Sequence, residues 1–216
     1  MTPEKQLHRP TTPVLVLDWG GVLSTPIQDS FDSWMLAAEI DPESFMRVMR
    51  ELHNTADSPL HRRERGEISV SELEEALARQ LVTLAGQPVS ADGLLAKMFE
   101  HLKPNYAMVQ VVELARANGW KTAVLSNVWD GDHYDPDLMK QFDAVVLSDL
   151  EGVRKPDLNA YEAIINALGV EAGDCIFVDD MRRNVLAAEM AGMQAIQYQP
   201  GVEVLLSELI TSGAAS

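Results

Sequence analysis

Residues 14–24 read VLVLDWGGVLS. The four apolar residues Val14, Leu15, Val16 and Leu17 stand in a row, with no polar alternation to give a wet face. Such a run is a strand buried on both sides, as strands of parallel sheets are. It stops at Asp18, and Trp19-Gly20-Gly21 follows, where glycine permits backbone paths closed to other residues. Working outward, residues 122–125 (TAVL), 144–147 (AVVL) and 175–178 (CIFV) have the same character, and 194–198 (QAIQY) is a weaker fifth run.

Helical patterns lie between these runs. Pro104 opens one that carries Met108, Val111, Val112 and Ala115 and closes at Asn118-Gly119. Pro156 opens a second with Leu158, Tyr161, Ile165 and Leu168, closed by Gly169, and a third covers residues 181–191 before Gly192. Proline in the first turn and glycine past the last is the usual asymmetry of helix ends. Strands alternating with such helices predict an α/β fold, a Rossmann-like five-stranded parallel sheet with helices on both faces. Residues 25–101 break the alternation and read as all-helical. Asp41-Pro42 starts a segment bearing Phe45, Val48, Met49 and Leu52. Ser71 and Glu74 have the spacing of a capping box ahead of Leu73, Leu77, Leu81 and Leu84, with Gly86 as the stop. Residues 91–101 form a last helix. The expected organisation is an α/β core of residues 13–24 and 102–205, interrupted by a helical insert at 25–101.

Charge narrows the function. Against 33 Asp and Glu stand 17 Lys and Arg, a net charge of −16, which repels nucleic acid and anionic lipid surfaces. A 46% hydrophobic, 23% charged composition builds a core and is too apolar for disorder. The single Cys175 excludes an internal disulfide and suits a reducing compartment. No apolar run is long enough to span a bilayer, and the first residues have no signal-peptide core, so a cytoplasmic protein is expected.

In open parallel sheets, ligands gather at the carboxyl ends of the strands. There the sequence puts Asp18 after the first strand, Ser126 and Asn127 after the second, Ser148 then Arg154 and Lys155 after the third, and Asp179 and Asp180 after the fourth. Three carboxylates brought together repel unless a cation lies between them, and oxygen ligands suit Mg²⁺. A carboxylate is also a competent covalent nucleophile. A hydroxyl, backbone N–H groups and a lysine hold phosphoryl oxygens, whose charge in transfer needs positioned partners. Taken singly these residues have plainer readings: Asp18 as a turn residue, Asp179-Asp180 as a helix cap, Lys155 as surface charge.

The four pieces VLVLDWGGVLS, VLSN, RKPD and FVDD, in that order between about Pro13 and Pro200, resemble the haloacid dehalogenase-like superfamily. The insert after the first piece resembles its C1-type cap. GVRKPDLNAYEAIINALGV, FVDDMRRNVLAAEMAGM and HRRERGEIS are similar to the branch holding sugar-phosphate phosphatases and the phosphatase-like N-terminal domain of soluble epoxide hydrolases. The resemblance implies Asp18 as nucleophile and metal ligand, the Gly20 carbonyl and Asp180 as further Mg²⁺ ligands, and Asp179 acting directly or through water. It implies Ser126, Asn127 and Lys155 on the phosphoryl oxygens, and Asn184 behind the metal site.

The chain departs from that pattern at Gly20, where most phosphatases of the superfamily carry the aspartate that acts as general acid and base. Such catalysis is typically worth about 10²–10⁴-fold. One reading is a phosphatase of a small phosphorylated metabolite whose leaving group needs little protonation: a sugar 1-phosphate, an acyl phosphate or an aryl phosphate. His53, His61, Asp132 or His133 are candidate substitute acids. A second is a metal-independent 2-haloacid dehalogenase, which the acid pair Asp179-Asp180 disfavours. A third is a non-catalytic binding module. Trp19 and Trp129 are either an apolar wall or packing residues, and the cluster holding Arg62, Arg63 and Arg65 is either a solvated helix end or an anion contact. Monomer and homodimer both remain compatible with the sequence.

Overall fold

Val14–Leu17 is strand β1, and all four residues are completely buried. β2 (Lys121–Ser126) pairs with it on one side and β4 (Cys175–Asp179) on the other, both parallel, with Leu17 beside Val124 and Val178. β3 (Ala144–Leu147) joins outside β2 and β5 (Gln194–Gln197) outside β4, giving the order β3-β2-β1-β4-β5 with every pair parallel. The computed structural model describes residues 13–131 and 133–212, so the candidate acid Asp132 lies outside the described residues. The five apolar runs are the five strands.

The period of two along β1 divides the core. Leu15 and Leu17 face the side covered by α6 (Tyr106–Ala117) and α11 (Val202–Thr211). Val14 and Val16 face the side of α9 (Leu158–Leu168) and α10 (Arg182–Met190). In α6 the residues read from the sequence, Met108, Val111, Val112 and Ala115, are the buried ones. The starts differ. Asn105, whose side chain accepts from the Met108 N–H, caps α6, and Pro104 sits ahead of it, bridged to Ser24. Asp157 precedes α9, so Pro156 lies outside that helix. The buried side of α9 is Ala160, Tyr161, Ile164 and Leu168, while Leu158 is exposed and Ile165 only partly buried. The α/β layers also run past the expected limit at 205, because α11 puts Leu206 and Ile210 into the core.

Between β1 and β2 the insert forms α1 (Ile27–Ala37), α2 (Pro42–Asn54), α3 (Pro59–Glu64), α4 (Val70–Ala78) and α5 (Leu94–Phe99). They share an apolar cluster of their own, including Phe45, Val48, Leu52, Leu60, Leu73 and Met98. Asp41 caps α2 as its position suggested. The capping box of α4 is Ser69 with Glu72, not Ser71 with Glu74. Both pairs have the right residue types, but the earlier frame frees Glu74 to accept from the buried Leu95 N–H at 3.0 Å. Nor does α4 reach Gly86: Val82 bridges Pro88 and Thr83 bridges Ile40, which leaves Leu84 exposed beyond the helix. Among the described residues, no helix is long and apolar enough to cross a membrane.

The insert passes close to the α/β layers at Gly66, with φ +70°, where an added Cβ would lie 2.2 Å from the Asp149 carbonyl oxygen in α8 (Ser148–Glu151). Gly86 has nearly the same φ, +71°, with nothing near its missing Cβ. Gly86→Ala should therefore cost only the left-handed backbone penalty, about 1–2 kcal/mol. Gly66→Ala should cost a further ~1–3 kcal/mol from overpacking. Urea unfolding of the two variants checks this, and equal losses would contradict the close approach.

Candidate active site

The turn after β1 sets the first group. Asp18 donates its N–H to the Val178 carbonyl at 2.9 Å, and its Oδ1 accepts from the Trp19 N–H at 2.7 Å. Residues 19–23 form one wide turn closed by the Ser24 N–H on the Trp19 carbonyl at 2.9 Å. Gly21 has φ +72°, and a Cβ there would come within 2.8 Å of Asp180 Oδ2. Only glycine meets both demands. At Gly20 a Cβ would lie 2.5 Å from Cδ1 of Ile27, so a side chain at residue 20 would need the tip of this α1 residue to shift.

Lys155 joins the strand ends. Its Nζ lies 2.8 Å from Asp18 Oδ1 and 2.7 Å from Asp179 Oδ2, with the lysine side chain 1% exposed. Asn127 holds the Lys155 main chain from both directions: Lys155 N–H donates to Asn127 Oδ1 at 2.8 Å, and Asn127 Nδ2 donates to the Lys155 carbonyl at 2.9 Å. Thus the Asn127 side chain acts on Lys155 rather than lying free. Ser148 Oγ accepts from Val128 N–H at 2.9 Å, fixing the loop after β2 against the end of β3. Ser126 Oγ is 2.9 Å from the Tyr134 hydroxyl. Asp179 is fully engaged. Its Oδ1 accepts from Met181 N–H at 2.8 Å, and Asn184 Nδ2 reaches both its oxygens at 3.0 Å.

The charges do not balance within this group. Burial raises Asp18 well above its ordinary pKa, Lys155 opposes the shift, and Asp179 and Asp180 add to it. Burial works against the Lys155 charge, but Asp179 and Asp18 outweigh it and keep the ammonium above its usual pKa. Burial, then Asp179, push Asp180 up to about 6. One ammonium thus serves three carboxylates whose oxygens lie within 4.8 Å of one another. Hard oxygen donors so gathered fit a divalent ion of the Mg²⁺ kind. Asn184 Oδ1, buried beside Asp179 with no partner, fits a water of such an ion.

A cavity of about 300 Å³ opens from these groups into the insert, reaching Ile27, Phe31, His53 and Phe99. Asp18, Ser126, Asn127, Lys155, Asp180, Asn184 and Gly20 line it, so the sequence-derived residues converge, with Asp179 buried directly behind. His53 and His133 also line it, and His61 does not. Burial, with Arg183 next, lowers the His53 pKa. Trp129 lines the cavity, whereas Trp19 is a core residue against Tyr134, ring centroids 5.0 Å apart.

None of the arginines in the 61–65 cluster reaches the cavity. Arg63 pairs with Asp149 at 2.9 Å and donates to the Trp129 carbonyl at 3.0 Å. Arg65 pairs with Asp57 and Glu67, and Arg62 lies 3.7 Å from Glu67 in solvent. The unexpected member is Glu64, which lines the cavity, accepts from Trp129 Nε1 at 3.0 Å and pairs with buried Arg154 at 2.7 Å. Arg63 and Glu64 hold the insert to the α/β layers, and Arg62 and Arg65 pair within the insert, so none of the three arginines meets an anion. Tyr134, Phe31, Phe99 and Arg183 also line the cavity without any signal in the sequence, since no spacing ties them to a strand end.

A family model described as haloacid dehalogenase-like hydrolase matches residues 14–192. The sesquiterpene phosphatase astK of Aspergillus oryzae is 30% identical over 188 residues, covering 82% of this chain and 85% of that protein. Acyl-CoA dehydrogenase family member 10 of Mus musculus is 28% identical over 188 residues, which are 85% of this chain but 17% of that protein. Among solved structures, a HAD family enzyme of Bacteroides thetaiotaomicron in complex with magnesium and inorganic phosphate superposes with TM-score 0.60 at 19% identity, covering 88% of this chain and 95% of that one. The L-2-haloacid dehalogenase of Xanthobacter autotrophicus shares the fold at TM-score 0.58 and 21% identity, covering 95% and 85%.

The Glu64–Arg154 pair predicts a measurable asymmetry. Glu64→Leu alone leaves a buried guanidinium unpaired and should cost about 3–5 kcal/mol, whereas Glu64→Leu with Arg154→Met should recover most of that loss. A double-mutant cycle in urea decides it, and purely additive losses would deny the coupling.

Proposed function

Because the chain belongs to the haloacid dehalogenase-like hydrolases, we propose that it is a Mg²⁺-dependent phosphatase of a small phosphorylated metabolite, with Asp18 as nucleophile. The observation that carries this reading is the contact of Lys155 with Asp18 and Asp179, 2.8 and 2.7 Å, inside a cluster of three carboxylates. An ammonium at the nucleophile offsets the repulsion between Asp18 and an incoming phosphate dianion.

Asp18, the Gly20 carbonyl and Asp180 would hold the ion, with Asp179 contributing through water and by seating Lys155. Bound Mg²⁺ supplies Lewis-acid neutralisation of phosphoryl oxygens. Asp18 Oδ2, which neither Trp19 nor Lys155 holds, attacks phosphorus, and the P–O bond to the leaving group breaks with its electron pair going to that oxygen. Lys155 and Ser126, with the backbone N–H groups of the loop after β2, hold the phosphoryl oxygens. Water then attacks the aspartyl-phosphate at phosphorus, which releases inorganic phosphate and restores the Asp18 carboxylate. Asn127 keeps Lys155 in position, and Asn184 keeps Asp179. No side chain at Gly20 donates a proton, so the leaving group departs with little protonation, as from a sugar 1-phosphate, an acyl phosphate or an aryl phosphate. The helical insert at 25–101 acts as a cap that excludes water from the reacting group. A reducing cytoplasm suits a chain whose one thiol, Cys175, is buried and pushed up to about 12 by that burial.

A 2-haloacid dehalogenase shares this fold, but Asp179 and Asp180 beside Asp18 would repel the carboxylate of a haloacid. A binding module would have no use for a nucleophile, lysine and acid cluster held together.

With Mg²⁺, phosphate release from an aryl or anomeric sugar phosphate is expected, with Asp18→Asn lowering kcat by about 10³-fold or more and EDTA stopping turnover. Halide release from 2-haloacids in EDTA would contradict the assignment. Mg²⁺ at 100 times its Kd should stabilise the fold by about 2.7 kcal/mol, read as a rise in Tm that Asp180→Asn abolishes.

A further inference from the structure

We infer that the leaving group is aromatic, so that the substrate is an aryl phosphate, the monoester of a phenol, rather than a sugar phosphate. The inference rests on the phosphatase reading and deepens it. With phosphorus at Asp18, Ser126 and Lys155, the rest of the ester lies in the 300 Å³ cavity beneath the insert. Aromatic side chains make up much of its lining there. Phe31 and Trp129 are stacked at 6.1 Å and 27° on one part of the lining. Phe99, His133 and Tyr134 make a second column, with centroids 4.8 and 4.5 Å apart and planes within 22° and 28°. Ile27 and Met181 add aliphatic surface. Stacked and edge contacts of this kind suit a flat ring.

The polar groups of the lining are mostly occupied. Glu64 is held by Arg154 and Trp129, Gln28 by Asp32 at 2.7 Å, and Asn127 by Lys155. Buried without hydrogen-bond partners on the lining residues are His53 Nδ1, Arg183 Nε and Asn184 Oδ1, the last beside the proposed ion. His53 and Arg183 suit one polar substituent on a ring, whereas each sugar hydroxyl set against the apolar part of the lining would lose its water without replacement. The leaving-group chemistry agrees. Gly20 has no side chain to donate a proton, and a phenol, with a pKa of about 10 as in tyrosine, leaves as its anion far more readily than an aliphatic alkoxide.

The test separates binding from turnover by calorimetry of the full chain with Mg²⁺. Its probes are phenylphosphonate, 2-hydroxyethylphosphonate and a C-glycosyl phosphonate, which share the anion but cannot be hydrolysed. Phenylphosphonate should bind about tenfold or more tightly than either polar probe, with the more negative heat-capacity change that apolar burial gives. Ile27→Asn, and separately Met181→Gln at the cavity rim, should weaken phenylphosphonate at least about threefold while inorganic phosphate loses less. Equal or tighter binding of a polar probe, or no binding of phenylphosphonate, overturns the inference. Tight phenylphosphonate binding without hydrolysis of any aryl phosphate leaves the apolar site in place and removes the phosphatase reading instead.

Discussion

The ammonium of Lys155 sits between Asp18 and Asp179, 2.8 and 2.7 Å away, at a point where four strand ends converge. It is also 5.5 Å from the centroid of the Phe177 ring, and its side chain is 1% exposed. A buried charge of this kind is tolerated only when fully paired. Everything around it meets that condition. Asn127 fixes its main chain with two hydrogen bonds, and Asn184 and the Met181 N–H fix the Asp179 carboxylate from behind. Parallel pairing of β1 with β2 and β4 brings these groups together, because in parallel sheets all carboxyl ends lie on one edge. The remaining excess of carboxylate is what suits the site to a divalent cation.

The same turn carries the departure at residue 20. Gly21 must be glycine for its positive φ and for the approach of Asp180, whereas Gly20 has a φ of −65° that any residue adopts and lies against Ile27. The insert therefore shapes the candidate site as well as covering it: one aliphatic side chain of α1 lies against the glycine where the family pattern has an aspartate. Holding α1 there depends on how the insert docks. Glu64 and Arg63 meet Arg154 and Asp149 at the far side of the cavity, and Gly66 lets the chain touch α8.

The α/β fold was legible because β1 to β4 are continuous apolar runs, and each ends at or beside a residue of the candidate site. Asp18, Ser126, Asn127, Asp179 and Asp180 follow from that rule, which is a property of sequence position, whereas Lys155 lies eight residues past β3 and was reached through the RKPD motif. Of the cavity walls, Trp129 was legible beside its strand end, but most of the rest was not. Phe31 and Phe99 belong to two helices of the insert that meet only when it packs, and Tyr134 reaches Ser126 from a loop without periodicity. The arginines at 62, 63 and 65 resembled an anion site in an acidic chain, but docking uses Arg63 and solvent-side pairs absorb Arg62 and Arg65. The Ser69 and Ser71 frames of α4 are locally equivalent, and only the long-range bond from Leu95 to Glu74 separates them.

The proposed hydrolysis depends on covalent catalysis by Asp18. Rapid mixing of the protein and Mg²⁺ with an aryl phosphate, an acid quench and peptide mass analysis test it directly. One phosphoryl group is expected on the peptide bearing Asp18, removed by hydroxylamine and absent from Asp18→Asn. Turnover without that adduct under single-turnover conditions, or a phosphoryl group on any other residue, would contradict it.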